Sequence, residues 1–81
     1  MDQAQIVAQL SEILGEVLDA PDLVLTPETS AADVAHWDSM TNITFVVEVE
    51  SRFGIKFKTA EIEEMRNVGD MIAMILEKRS K

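Results

Sequence analysis

The chain has 81 residues, of which 15 are acidic and 7 basic, so its formal net charge is −8. Hydrophobic residues make up 47% of it, enough for one small core but not for a large active-site cleft. The sequence has no cysteine and a single histidine, His36, which excludes disulfides, thiolate sites and multi-histidine metal sites. No apolar run approaches the roughly 20 residues of a membrane span, and the N-terminus lacks the pattern of an export signal. We therefore expect a cytoplasmic protein.

The charges are unevenly distributed along the chain. Residues 1–51 contain ten acidic and no basic residues, whereas residues 52–81 contain all seven basic residues and five acidic ones. The two parts therefore carry −10 and +2. Such an anionic surface repels nucleic acid and anionic membranes but attracts basic proteins. The alternative, which charge alone leaves open, is that the acidic residues only keep a small domain soluble.

The segment from Asp2 to Asp19 is predicted to be a helix. Its apolar residues recur at the spacing of one helical face, namely Ile6, Val7, Leu10, Ile13, Leu14, Val17 and Leu18. Asp2 can cap the start, and Pro21 ends the helix. Gly15 costs a helix about 1 kcal/mol relative to alanine, but it permits a close backbone approach.

A long loop is predicted over residues 20–38, which contain both prolines of the chain. Loops longer than about 12–15 residues are uncommon in compact domains and are usually functional or disordered. We expect this loop to be held against the core by its apolar side chains, Leu23, Val24, Leu25, Val34 and Trp37.

The segment from Ser39 to Phe53 is ambiguous. Its β-branched and aromatic residues favour a strand by propensity. However, Asp38 stands where a helix cap is expected and Gly54 where a helix ends. The apolar residues also form one wide helical face from two adjacent stripes, which are Met40, Ile43 and Val47 together with Val46, Val49 and Phe53.

Two further helices are predicted near the C-terminus. A short one covers Thr59 to Met65, with Thr59 as its cap. Residues 67–79 form the last helix, capped by Asn67 and with basic residues at its C-terminal end. Its apolar face consists of Val68, Met71, Ile72, Ile75 and Leu76.

One polar cluster, His36-Trp37-Asp38-Ser39, invites a chemical interpretation. A serine hydrolase would need a base within hydrogen-bond reach of the hydroxyl and a third group behind that base, which sequence neighbours seldom achieve. If Asp38 caps a helix, Ser39 is instead the first helical residue, with its hydroxyl exposed. A phosphate ester there would be stabilised by the positive end of the helix.

The order of these motifs resembles that of an acyl carrier protein over almost the whole chain. The resemblance rests on the loop Thr26-Pro27-Glu28-Thr29, on His36-Trp37-Asp38-Ser39-Met40-Thr41-Asn42-Ile43, and on Glu48-Val49-Glu50, Phe53-Gly54-Ile55 and Asn67-Val68-Gly69-Asp70-Met71. It implies one acyl carrier domain over residues 1–81 with an all-α fold. That fold is a four-helix bundle of three main helices and a short third helix, with a long loop between helices 1 and 2. The segment from Ser39 to Phe53 is then a helix.

The resemblance also implies a function and a cofactor. Ser39 would carry 4′-phosphopantetheine through a phosphodiester, and Asp38 would complete the motif and cap the helix. A phosphopantetheinyl transferase would install this arm from coenzyme A, and the arm would supply the thiol that the chain lacks. The protein would carry acyl intermediates as thioesters on this arm, with the acyl chain between its helices, and present them to enzymes of fatty-acid, polyketide or related specialised biosynthesis. It would catalyse nothing and bind no metal.

By the same resemblance, the second helix would contact partner enzymes. We expect acyl-activating, ketosynthase or acyltransferase-type partners with basic docking surfaces, and a monomeric carrier. The predicted contact residues are Trp37, Met40, Thr41, Thr44 and Glu48. Met40 replaces the usual leucine, a change that conserves volume. Thr41, Asn42 and Thr44 stand where housekeeping fatty-acid carriers place acidic residues, which favours a specialised pathway. The alternative function is an acidic helical interaction module that is never modified.

Overall fold

The structure, a computed structural model, describes residues 2–79 and contains four α-helices in that range. They are α1 (Gln3–Leu18), α2 (Ser39–Phe53), α3 (Thr59–Glu64) and α4 (Val68–Arg79). A short 3-10 helix, Ala31–Asp33, interrupts the loop between α1 and α2 and was not predicted. The described residues form no strand, so the expected all-α fold is confirmed and the strand propensity of residues 39–53 is overridden.

The ends of α1 follow from the residues at its termini. The Asp2 carboxylate accepts a hydrogen bond from the Gln5 backbone N–H at 2.9 Å, and the Gln5 side chain accepts one from the Asp2 N–H at 3.0 Å. This reciprocal capping box satisfies two donors that helix geometry leaves unpaired. At the other end Asp19 adopts a left-handed conformation with φ 55°, which stops the helix two residues before Pro21.

The core lies where α1 packs against α2 and α4. No polar or charged residue between 2 and 79 is buried in it. Packing of apolar side chains therefore holds the bundle together. The largest fully buried side chains are Phe45, Ile6, Leu10, Leu14, Leu25, Ile75, Val49 and Val68.

The core uses fewer of the predicted apolar positions than expected. Helix α2 buries Phe45, Val46, Val49 and Phe53, whereas Met40, Ile43 and Val47 are 78%, 64% and 53% exposed. The prediction of one wide buried face on α2 is therefore wrong, because the other helices cover only one side of it. Two other predicted core residues are also exposed, Val24 in the loop and Leu76 on α4.

The first half of the long loop is fixed to two helices. Leu25 is buried, and its backbone N–H donates to the Ser11 hydroxyl of α1 at 2.9 Å. Farther along, Thr29 and Pro27 accept hydrogen bonds through their backbone oxygens from the N–H groups of Val68 and Gly69, both at 2.8 Å. These are the first N–H groups of α4, which have no partner inside the helix. The loop therefore caps α4.

The start of α3 differs from the prediction. Lys58 rather than Thr59 is the capping residue, because the Glu61 carboxylate reaches back to the Lys58 backbone N–H at 2.7 Å. Glu61 also forms a 2.9 Å ion pair with Lys78 of α4. Both contacts lower the pKa of the Glu61 carboxyl, and the hydrogen bond from the Lys58 N–H has the larger effect. The ion pair ties the short helix to α4.

We predict that Gly15→Ala destabilises the protein although it improves the helix propensity of α1. An added methyl group would lie 2.8 Å from the backbone oxygen of Ala20, whose N–H donates to the Gly15 oxygen at 2.7 Å. Relieving this overlap costs more than the propensity gain of about 1 kcal/mol, so the free energy of unfolding should fall by about 1 kcal/mol. Urea denaturation followed by circular dichroism measures it.

Ala8→Gly, at an exposed position of the same helix, is the matched control because it changes propensity without touching the loop. It should lower the free energy of unfolding by about 1 kcal/mol. A Gly15→Ala protein that is more stable than the wild type by a similar amount would show that the backbone approach is not tight.

Candidate functional site

The start of α2 is built around the Asp38 carboxylate. Asp38 Oδ1 accepts hydrogen bonds from the backbone N–H groups of Met40 and Thr41, both at 3.0 Å. Two of the unpaired donors of the first helical turn are thereby satisfied. The sequence-based prediction of Asp38 as the cap is confirmed.

Thr41 completes this arrangement from inside the helix. Its Oγ1 accepts a hydrogen bond from the Asp38 backbone N–H at 2.8 Å and lies 3.0 Å from the His36 carbonyl oxygen, to which it donates. The second contact holds His36 in a left-handed conformation with φ 70°, which is unfavourable for a residue with a side chain. The turn before α2 is thus fixed by side-chain contacts rather than by a glycine.

These hydrogen bonds lower the pKa of the Asp38 carboxyl below its ordinary value of 3.8. The bond from the Thr41 N–H is the largest cause, and partial desolvation opposes it. Asp38 is therefore a carboxylate at neutral pH, and its charge lies at the positive end of α2.

Ser39 is the first residue of α2 and is exposed. Within residues 2–79, neither its hydroxyl nor its backbone N–H has a hydrogen-bond partner. The hydroxyl is thus accessible, and the N–H beside it is one of the free donors of the helix N-terminus. Such a position suits a phosphate ester, because both the N–H and the helix end favour negative charge.

Trp37 lies half-buried next to this serine. Its indole N–H donates to Asn42 Oδ1 at 3.0 Å. Its ring meets that of Phe45 edge to face, with a centroid distance of 5.6 Å and an interplanar angle of 86°. Trp37 therefore anchors the end of the loop to α2, as the apolar residues of the loop were expected to do.

A cavity of about 190 Å³ opens beside Ser39. It lies between the end of the loop, α2 and the junction of α3 with α4. Buried apolar side chains form part of its wall, and polar residues from all three elements border it. The lining residues are Ala31, Trp37, Asp38, Ser39, Asn42, Phe45, Met65, Arg66, Asn67, Val68 and Met71.

The hydrolase interpretation of this cluster has no geometric support. The Asp38 carboxylate binds the backbone of α2 rather than the imidazole of His36. In the described part of the chain, no hydrogen bond joins His36 to Ser39. A nucleophile, a base and an orienting acid are therefore not assembled. Residues 2–79 contain no group of three or more histidine, cysteine, aspartate or glutamate side chains that could hold a metal ion.

The structure separates the predicted partner-binding residues into two groups. Met40, Thr44 and Glu48 are exposed on α2, whereas Trp37 and Thr41 are half-buried and engaged in the hydrogen bonds described above. Ile43 and Val47 are also exposed beside the first group, although sequence reasoning assigned them to the core. Their spacing of three and seven residues from Met40 was the available signal, because it puts all three on one stripe of the helix.

Comparisons with known proteins identify the family of the chain. The model of the phosphopantetheine attachment site family matches residues 8–75. The chain belongs to the acyl carrier protein family. An acyl carrier protein of Acidothermus cellulolyticus is 31% identical over 93% of this chain and 89% of its own length. A meromycolate extension acyl carrier protein of Mycolicibacterium aurum is 34% identical over 90% of this chain and 75% of its own length.

A solved structure agrees with the fold. The solution structure of a holo acyl carrier protein from Geobacter metallireducens superposes with a TM-score of 0.84 and 35% identity, covering 91% of this chain and 85% of the other. Acyl carrier proteins carry 4′-phosphopantetheine and are carriers rather than catalysts, so the expected cofactor class and function are confirmed. None of the helices between residues 2 and 79 is long and apolar enough to cross a membrane.

We predict that the charge of Asp38 stabilises the unmodified carrier at neutral pH and not in acid. Because folding lowers its pKa, its contribution is present above the ordinary value of 3.8 and is lost as the pH falls through the folded value. Asp38→Asn keeps an oxygen acceptor for the cap and removes only the charge. The melting temperature of the wild type should exceed that of the variant at pH 7, and the difference should shrink below pH 3.8.

Asp22→Asn provides the control, because Asp22 is an exposed loop carboxylate that makes no hydrogen bond within the described residues. Its melting temperature should follow that of the wild type at every pH. A difference between wild type and Asp38→Asn that stays constant down to pH 2 would contradict the electrostatic origin of the effect.

Proposed function

We propose that Ser39 is the residue to which 4′-phosphopantetheine is attached. The observation that carries this assignment is the exposed, unbonded hydroxyl at the first residue of α2, next to the Asp38 cap and the cavity. Attachment there needs no rearrangement of the fold. The phosphodiester would lie at the free Ser39 N–H and the positive end of the helix, both of which stabilise its charge.

Other serines of the chain are poorer candidates. Ser11 is half-buried, and its hydroxyl donates to the Val7 carbonyl while accepting from the Leu25 N–H. Ser30 hydrogen-bonds Asp33 at 3.2 Å. Ser51 is exposed, but it lies inside α2, where the backbone N–H groups of the helix are already bonded. Ser80 lies outside the described residues.

The attached arm supplies the thiol on which acyl groups are held as thioesters. The chain itself holds the arm at Ser39, keeps α2 rigid through the Asp38 and Thr41 hydrogen bonds, and offers the adjoining cavity to the carried group. A separate phosphopantetheinyl transferase would install the arm from coenzyme A. The carrier would then act in fatty-acid, polyketide or related specialised biosynthesis.

Intact mass spectrometry tests the attachment site. Incubation with a promiscuous phosphopantetheinyl transferase, magnesium and coenzyme A should add roughly 340 Da, the size of one phosphopantetheine, to the wild type. Ser39→Ala should gain nothing, because it lacks the only hydroxyl that receives the arm. Peptide mapping of the modified wild type should place the added mass on Ser39.

Ser51→Ala is the matched control, since it removes an exposed hydroxyl from the same helix. It should be modified as fully as the wild type. A mass gain on folded Ser39→Ala would reject Ser39 as the site, whereas no gain on folded wild type would support the alternative of an unmodified interaction module.

We further propose that the exposed side of α2 is the docking face for partner enzymes. It presents the apolar stripe of Met40, Ile43 and Val47, beside Thr44 and Glu48. An exposed apolar stripe with a flanking acid fits a partner surface that has an apolar groove and basic rim residues. The expected partners are the transferase and acyl-activating, ketosynthase or acyltransferase-type enzymes. Neutral Thr41, Asn42 and Thr44 on α2 favour partners of a specialised pathway.

Charge reversal at Glu48 tests this face. Glu48→Lys should lower kcat/KM of the transferase reaction by about fivefold at low salt, because a docking attraction becomes a repulsion. The salt dependence of kcat/KM should also become weaker. Glu50, another acid of α2, is a poor probe because its carboxylate accepts a hydrogen bond from the Phe57 N–H at 2.7 Å and so has a structural role.

Glu16→Lys, at an exposed acid on α1, makes the same change of net charge away from α2. It should leave kcat/KM within a factor of two of the wild type in the same buffer. Equal losses for the two variants would mean that overall charge rather than the α2 face governs recognition.

A further inference from the structure

The cavity beside Ser39 combines an apolar floor with a polar mouth. Phe45, Val68 and Met71 line it and are 1%, 2% and 4% exposed, so they form its deep end. Ser39 and Arg66 also line it and are exposed, so they lie at its opening. A group attached to Ser39 therefore meets the polar residues before it reaches the apolar floor.

Two carboxamides at this cavity are held in one orientation by internal hydrogen bonds. The indole N–H of Trp37 can only donate, so its 3.0 Å contact fixes the oxygen of Asn42 toward it. The oxygen of Asn67 accepts from the Asp70 backbone N–H at 2.9 Å. In both side chains the NH₂ group has no acceptor among the described residues and can donate to a ligand.

Among the described residues, Arg66 is the only basic one that lines the cavity. Its guanidinium forms no ion pair or hydrogen bond with any residue between 2 and 79. Asp38, the one carboxylate in the lining, is occupied by the backbone of α2 and does not pair with it. Arg66 also borders a shallow groove with Glu63, Glu64 and Asp70, but none of these forms an ion pair with it.

We propose that the cavity binds an anionic oxygen-bearing group of whatever is attached to Ser39, held by Arg66 and by the NH₂ groups of Asn42 and Asn67. This inference rests on the proposed attachment at Ser39. A guanidinium and two amide donors match a carboxylate or a phosphate. Purely aliphatic cargo would leave all three donors to water. The anion is either the phosphodiester of the arm or a carboxylate at the end of the acyl group.

The test compares four forms of the carrier whose loading is verified by intact mass. They are the unmodified protein, the holo form, and the forms produced by the transferase from succinyl-coenzyme A and butyryl-coenzyme A. Succinyl and butyryl groups differ in that a carboxylate replaces a methyl group. The melting temperature of each form is measured for the wild type, Arg66→Gln and Lys56→Gln. Lys56 is an exposed cation that forms no hydrogen bond or ion pair among the described residues, so its variant controls for net charge.

A bound carboxylate should raise the melting temperature of the succinyl form above that of the butyryl form by about 3 to 5 °C in the wild type and in Lys56→Gln. Arg66→Gln should abolish this difference. If the phosphodiester is the anion, the holo, succinyl and butyryl forms should all exceed the unmodified protein by this amount, again only when Arg66 is present.

Side-chain amide resonances provide a second readout that a merely structural role of Arg66 would not move. In ¹⁵N-labelled protein, the NH₂ signals of Asn42 and Asn67 should shift on loading of the wild type and shift less in Arg66→Gln.

Loaded Arg66→Gln that matches loaded wild type in both measurements overturns the proposal and leaves the attachment site intact. Failure of the transferase to add any mass to the wild type contradicts the attachment itself, and with it this proposal.

Discussion

The arrangement of the site depends on how the first turn of α2 satisfies its backbone donors. A helix N-terminus leaves N–H groups that need acceptors, and here Asp38 provides them for Met40 and Thr41. Thr41 returns a hydrogen bond to the His36 carbonyl, which holds the preceding turn in its left-handed conformation. Helix α2 therefore begins at Ser39, and no preceding helical turn covers this serine, which is exposed. One carboxylate thus sets the position of the serine and the entry path of the loop.

The loop and α4 depend on each other in the same way. The carbonyls of Thr29 and Pro27 cap α4, so the loop supplies acceptors that no side chain provides. Gly69 makes this approach possible, since a methyl group there would lie 3.0 Å from the Pro27 oxygen. This contact keeps the loop next to the α3–α4 junction, and residues of both border the cavity. A small protein without cysteine thereby builds a defined cavity from backbone hydrogen bonds and a thin apolar core.

The sequence predicted some features better than others, for physical reasons. Helices α1 and α4 were predictable because their apolar residues recur on one face and because each begins after a residue whose side chain accepts from the first turn, Asp2 or Asn67. The ends of α2 were marked by Asp38 and Gly54, but its helical state was not, because β-branched residues tolerate both structures and packing decides between them. The exposure of Ile43 and Val47 depends on where the other helices lie. The apolar pattern of one helix carries no information about the positions of the others. The placement of Asn42 and Arg66 at one cavity was invisible, because segments that are distant in the sequence form that cavity.

The single tryptophan of the chain is placed where it can report on the site by optical means. The indole of Trp37 donates to Asn42, packs on Phe45 and lines the cavity beside Ser39. Because the chain has no tyrosine, excitation near the red edge of protein absorption selects this one ring. Its emission wavelength and its quenching by added iodide follow the polarity and solvent access of the cavity. The protein therefore contains its own fluorophore for following the state of the site without a label.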